Sequence, residues 1–135
     1  KIPGDCWATP IIVETKDGPE VVLNGQEGLY AFDPKTGKQL WYVETVGGYV
    51  SATPVVHKDM LYLMGKNFDR KQVIAIRAGG RGDVTKTHVV WNNTKVGASY
   101  CSPLLVGDRL FFFSGFATCI DRNTGEVLAQ NRLDG

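Results

Sequence analysis

A pattern that returns every 44 residues constrains this chain more than any single residue does, because a repeat of that length fixes the architecture before side chains are considered. The clearest copy is Gly28-Leu-Tyr-Ala-Phe-Asp-Pro-Lys-Thr-Gly-Lys-Gln-Leu-Trp41, and its end returns as Thr118-Cys-Ile-Asp-Arg-Asn-Thr-Gly-Glu-Val-Leu-Ala129. Asp33 and Asp121, like Gly37 and Gly125, stand 88 residues apart, two periods. Between them lies a degraded copy, Val73-Ile-Ala-Ile-Arg77, then a glycine-rich insertion over 78–86, then His88-Val-Val-Trp91. A second marker keeps the same phase: Ala8-Thr-Pro10, Ala52-Thr-Pro54 and Cys101-Ser-Pro103 each precede an apolar run.

Each period divides into four short segments rich in Val, Ile, Tyr, Phe and Trp. The first holds strands expected over 9–14, 20–24, 29–33 and 39–45, the second over 54–57, 60–65, 72–77 and 87–92, and the third over 103–106, 109–114, 117–121 and 126–131. The separators, such as Lys16-Asp-Gly-Pro19 and Pro34-Lys-Thr-Gly37, are turn chemistry: Asp caps a turn through its side chain, Gly accepts positive φ and Pro presets φ. Turns this close together leave no room for helices. The expected fold is all-β, with twelve antiparallel strands in three four-stranded units covering 8–45, 52–92 and 101–132. A period in this range filled with strands is the mark of β-propeller blades, and three blades do not close a ring, since about four to eight are needed. The chain is therefore expected to pack against other blades of a longer protein or against a second copy of itself.

Within each unit the recurring residues have a physical reason. Asp33 and Asp121 can accept hydrogen bonds from backbone N–H groups two or three residues on, Thr36 and Thr124 complete the turn, and Gly37 and Gly125 suit its positive-φ position. Ala31, and Cys119 at the equivalent place, are small residues suited to burial. Trp41 and Trp91 offer large flat rings to bury between neighbouring units. The third unit has Ala129 where the first has Trp41, so it lacks this ring and is expected to lean on a neighbour.

The stretch from Ala31 to Trp41 resembles the tryptophan-docking repeat of the quinoprotein-like (PQQ-like) β-propellers, and the likeness extends over nearly the whole chain. That family includes quinone-dependent alcohol and glucose dehydrogenases and cofactor-free relatives. The stretches Ala75 to Trp91 and Ser102 to Leu110 resemble the cofactor-free branch, which is abundant in secreted and periplasmic bacterial proteins. In the quinone enzymes the resemblance implies adjacent cysteines, a tryptophan stacked on the quinone and a carboxylate–amide cluster around calcium. No two cysteines are adjacent here, so no cofactor or catalytic residue is assigned.

The remaining features exclude rather than assign. Fifteen basic and fourteen acidic residues leave a formal net charge of +1 without a basic cluster, so neither nucleic acid nor an anionic membrane surface is an expected partner. The longest apolar runs, such as Leu110-Phe-Phe-Phe113, are strand-sized, so neither a spanning helix nor a signal segment is expected, and a start at Lys1 suggests processing or truncation. Cys6, Cys101 and Cys119 are an odd number, with no C-x-x-C spacing for a metal, and a Cys101–Cys119 disulfide is disfavoured. His57 and His88 lie near no nucleophile motif. Asn92-Asn-Thr94 matches a glycosylation pattern without bearing on a bacterial protein. Arg81-Gly-Asp83 spells an adhesion tripeptide, but within Gly79-Gly-Arg-Gly82 it is expected to be a flexible surface turn. The function expected is that of a non-catalytic binding or scaffold segment of the bacterial envelope, possible protein ligands included; the alternative is a fragment of a quinone-dependent dehydrogenase whose active site lies in other blades. Self-association through the regions near Trp7 and 127–133 is expected, most simply as a two-fold dimer.

Overall fold

The computed structural model describes residues 4–47 and 51–134. It is all-β and has three separate sheets rather than a closed ring. The first sheet is built from β1 (Ile11–Thr15), β2 (Gly18–Asn24), β3 (Gly28–Phe32) and β4 (Gln39–Glu44) in sequence order. The second contains β5 (Val55–His57), β6 (Met60–Lys66), β7 (Lys71–Arg77) and β9 (Val89–Asn93). The third contains β10 (Leu104–Val106), β11 (Arg109–Phe113), β12 (Phe116–Asp121) and β13 (Val127–Arg132). Within each sheet these strands pair antiparallel with their chain neighbours, as short turns between apolar runs require.

One expectation fails. The described residues form thirteen strands, because β8 (Gly82–Asp83) leaves the second unit and pairs in parallel with β4 of the first, Trp41 opposite Gly82 and Tyr42 opposite Asp83. The glycine-rich composition concealed this: Gly79 and Gly82 take φ of +90° and +72°, which lets the backbone double back and lie along a neighbouring edge. The segment expected to be a loose turn is thus held in the first sheet.

Register shows how strictly the repeat is kept. Ala31 pairs with Trp41, Ala75 with Trp91 and Cys119 with Ala129, and in each sheet the register slips at the next residue, at Phe32, Ile76 and Ile120. A bulge at a fixed place twists the outer strand in the same way each time. Successive side chains on a strand point to opposite faces, so each sheet has a forward face toward the next unit and a rear face toward the one before. Val13, Val22, Leu29, Ala31, Trp41 and Val43 on the forward face of the first sheet pack with Leu61, Leu63, Ile74 and Ile76 on the rear of the second. Tyr62, Met64, Val73 and Ala75 on the forward face of the second pack with Leu110, Phe112 and Ile120 on the rear of the third. The core is two inter-sheet layers.

Candidate functional site

The chemistry repeated in this chain is concentrated where one unit meets the next. In the first unit the Asp33 carboxylate accepts from Lys35 N at 2.9 Å and Thr36 Oγ1 at 2.9 Å, while Gly37 N donates to Asp33 O at 2.8 Å. In the third, Asn123 N and Thr124 N donate to Asp121 Oδ1 at 2.8 and 3.1 Å, and Gly125 N to Asp121 O at 2.9 Å. Gly37 and Gly125 have φ of +70° and +77°, so the two turns share one shape. Hydrogen bonds from Lys35 N, and then from Thr36, hold the Asp33 carboxyl below the usual carboxylate range.

At the second junction Trp91, half-buried, lies against Gly125, where an added Cβ would run into its ring. Its Nε1 donates to Arg122 O at 2.8 Å, and Asn93 Nδ2 donates to Gly125 O at 2.7 Å. The missing side chain of glycine is what admits the indole.

At the first junction the second unit offers no such turn, because the insertion replaces it. Trp41 is fully buried, and its Nε1 donates to Glu20 Oε2 at 2.7 Å within its own sheet. Glu20, 2% exposed, also accepts from Arg81 Nη1 at 3.2 Å, and Arg81 comes from the insertion. A carboxylate this deeply buried requires such partners. Around this ion pair, Val84 N donates to Tyr42 O at 3.0 Å and Glu44 N to Thr85 Oγ1 at 3.0 Å, and the Val84 side chain is buried in the core between the sheets. Asp83 accepts from Thr85 Oγ1 at 2.7 Å and from Tyr42 Oη at 3.2 Å. The bonds from Thr85 hold the Asp83 carboxyl low, and the Asp83 charge in turn raises the Tyr42 phenol. Both charged members of Arg81-Gly-Asp83 are therefore engaged by this chain itself.

A third set of contacts involves the second sequence marker. Thr9 N donates to Thr53 Oγ1 at 3.2 Å, and Thr53 N donates to Ser102 Oγ at 2.9 Å. The hydroxyls of Thr53 and Ser102 thus each accept from the unit before. Buried Asn24 adds to this, its Nδ2 donating to Ala52 O at 2.9 Å. The repetition of the marker was visible in sequence; its role as an acceptor between units was not, because neither strand pattern nor turn chemistry calls for one.

Open grooves lie beside the outer strands at both junctions. One of about 480 Å³ is lined by Glu44, Asp69, Arg70, Lys71 and Gln72 among others, and one of about 500 Å³ by Asn92, Asn93, Lys95, Thr124 and Glu126 among others. Both mix signs of charge. Among the described residues no three His, Cys, Asp or Glu side chains are placed to hold a metal. Cys6, Cys101 and Cys119 are free thiols, with Cys6 Sγ against Asn24 O at 2.8 Å and Cys101 Sγ against Met64 Sδ at 3.7 Å. His88 Nδ1 meets Thr87 Oγ1 at 2.8 Å. The residues do not fit the quinone and calcium of the dehydrogenases: Glu20, the one buried carboxylate among the described residues, is taken by Trp41 and Arg81.

The family described as outer membrane protein assembly factor BamB, of the PQQ-like repeat type, matches residues 9–134. The chain belongs to this PQQ-like family. A solved quinohemoprotein alcohol dehydrogenase of Pseudomonas putida HK5 is similar in fold, with a TM-score of 0.62 at 14% identity over 84% of this chain. That likeness concerns the propeller architecture alone. The chain spans 25% of the dehydrogenase's length, so it is a PQQ-like propeller segment by comparison with that protein. No curated protein matches. None of the described residues forms a helix long and apolar enough to cross a membrane.

Proposed function

We propose that this chain is a non-catalytic segment of a PQQ-like propeller that works as a packing and recognition platform in the bacterial envelope, its end faces covered by other blades. One observation carries the proposal: the forward face of the third unit is built like the two covered ones yet lies open. Val13 is 1% exposed and its counterpart Val106 54%; Met64 is 0% exposed and its counterpart Phe113 55%. Leu104, also on this face, is 58% exposed. Apolar area of this kind marks a contact surface. The family description, an assembly factor of the outer membrane, supports an envelope location.

The non-catalytic part rests on Glu20. The buried carboxylate that could have faced a cofactor instead joins two units, and the other chemistry-bearing side chains are turn residues or lie apart. Equilibrium dialysis against pyrroloquinoline quinone with calcium tests it. No retention is expected, and micromolar retention would instead favour the dehydrogenase fragment.

A further inference from the structure

We infer that the outer edge of β9, in the second unit, is a docking site for an extended segment carried on a loop of a partner protein, which adds to the sheet as a further strand. The inference rests on the platform proposed above and names one of its recognition surfaces.

The chain holds its own template for this pairing. On β4, Val84 N donates to Tyr42 O and Glu44 N to Thr85 Oγ1, both at 3.0 Å, so Tyr42 and Glu44 turn backbone groups outward and the segment from Gly82 to Thr85 covers them. The shared register, Ala31 with Trp41 and Ala75 with Trp91, makes Asn92 and Thr94 their counterparts in the second unit. Backbone groups alternate sides along a strand, so Asn92 and Thr94 also direct theirs outward, away from β7. There β9 is the last strand of its sheet, and no strand among the described residues pairs beyond it. Its five residues, Val89–Asn93, include no charge and no proline, the residues that commonly keep an edge from pairing.

The two open grooves at the junctions flank this edge, since Asn92 and Thr94 line both. Successive side chains of an added strand point to opposite faces, so they enter one groove and the other in turn. Toward the third unit the groove offers Lys95, Thr124 and Glu126, and toward the first it offers Glu44, Asp69, Arg70 and Lys71. None of the last four is in an ion pair among the described residues. The occupant that fits is therefore polar on both faces, with carboxylate and ammonium groups on the face toward the first unit. The edge of β13 has such a wall on one side only within this chain.

The probe is the end-blocked heptapeptide Thr-Glu-Thr-Lys-Thr-Glu-Thr, whose alternation sends hydroxyls to one face and charges of both signs to the other. Titrated into the isotope-labelled chain, it should give saturable nuclear magnetic resonance shifts at the Val90, Asn92 and Thr94 amides. Amide–water exchange at Asn92 should slow about tenfold when the peptide stands about tenfold above its dissociation constant. The same peptide N-methylated throughout keeps its side chains but has no N–H to donate, and should give neither effect. Asn92→Pro should abolish the shifts at Val90 and Thr94, since proline removes the outward N–H and leaves the pairing of Trp91 and Asn93 with β7 in place. Circular dichroism establishes that the variant is folded. If Asn92→Pro does not fold, the contrast between the two peptides decides alone. No saturable shift, equal shifts from the N-methylated peptide or in folded Asn92→Pro, or slowed exchange at Gln130 on β13 instead would overturn the inference. So would an Asn92 amide whose protection rises with chain concentration without peptide, because a second copy would then fill the edge. None of these outcomes bears on quinone retention, so failure here is separable from failure of the non-catalytic assignment.

Discussion

The two internal junctions solve one packing problem with different chemistry. Both place a tryptophan opposite an alanine on the outer strand and aim it at the next unit. At the second junction the ring crosses to the partner's turn, where Gly125 makes room and a backbone carbonyl accepts the indole proton. At the first the partner's turn has been replaced by an insertion, so the indole proton goes to buried Glu20 and the insertion returns Arg81 to balance that charge. The difference shows that the repeat conserves a ring in a place and not its polar partner. It also shows why the insertion is ordered: a buried carboxylate cannot be left with only an indole N–H.

Substitutions should separate the junctions, with the largest effect at the first. Trp41→Ala is expected to destabilise by about 3 to 5 kcal/mol in chemical denaturation, the usual cost of truncating a buried large aromatic. Trp91 is half-buried, so Trp91→Ala should cost less, about 2 kcal/mol, contrary to the equivalence that the sequence suggests. A Trp91 cost equal to that of Trp41 would erase the distinction. Arg81→Ala should cost about 1 kcal/mol, reduced from the full price of an unpaired buried carboxylate because the Arg81 end of the pair is half-exposed. Asp83→Ala should lower the melting temperature more than Lys86→Ala does, since Asp83 holds Thr85 within the insertion and Tyr42 across units.

The smallest effect is on pH dependence. The Asp33 and Asp83 carboxyls titrate below their ordinary value in the folded chain, so the stability they supply is complete above the unfolded-state pKa and is lost as pH falls through the folded one. Asp33→Asn with Asp83→Asn should flatten the fall in melting temperature between neutral pH and about pH 3, the lower side of the carboxylate range. An unchanged acid limb would show that neither turn depends on its charge.

Much of the fold was legible because local signals agreed: strand-forming residues, turns rich in Asp, Gly and Pro, and a 44-residue period all pointed to the same three sheets. The turns at Asp33 and Asp121 were legible to the residue, since an aspartate two residues before a backbone donor has a local explanation. What could not be read was whatever depended on residues far apart in sequence. Glu20 looked like one more strand residue, and only its distance from Trp41 and Arg81 in the folded chain makes it a junction residue. The parallel pairing of Gly82–Asp83 was hidden by glycines that mark loops and close backbone approaches alike. The hydroxyls of Thr53 and Ser102 were noticed as repeat markers, but the backbone donors they serve lie one unit away.

The difference between the junctions is most directly tested by hydrogen exchange at the indole nitrogens, because each tryptophan reports on its own site through a single N–H. The Trp41 indole is fully buried and bonded to a carboxylate paired with Arg81, whereas the Trp91 indole is half-buried and bonded to a backbone carbonyl. In nuclear magnetic resonance exchange measurements the Trp41 indole proton should be the slower of the two, and Arg81→Ala should speed it while leaving Trp91 unchanged. Equal exchange of the two protons, or a Trp41 proton indifferent to Arg81, would contradict the account.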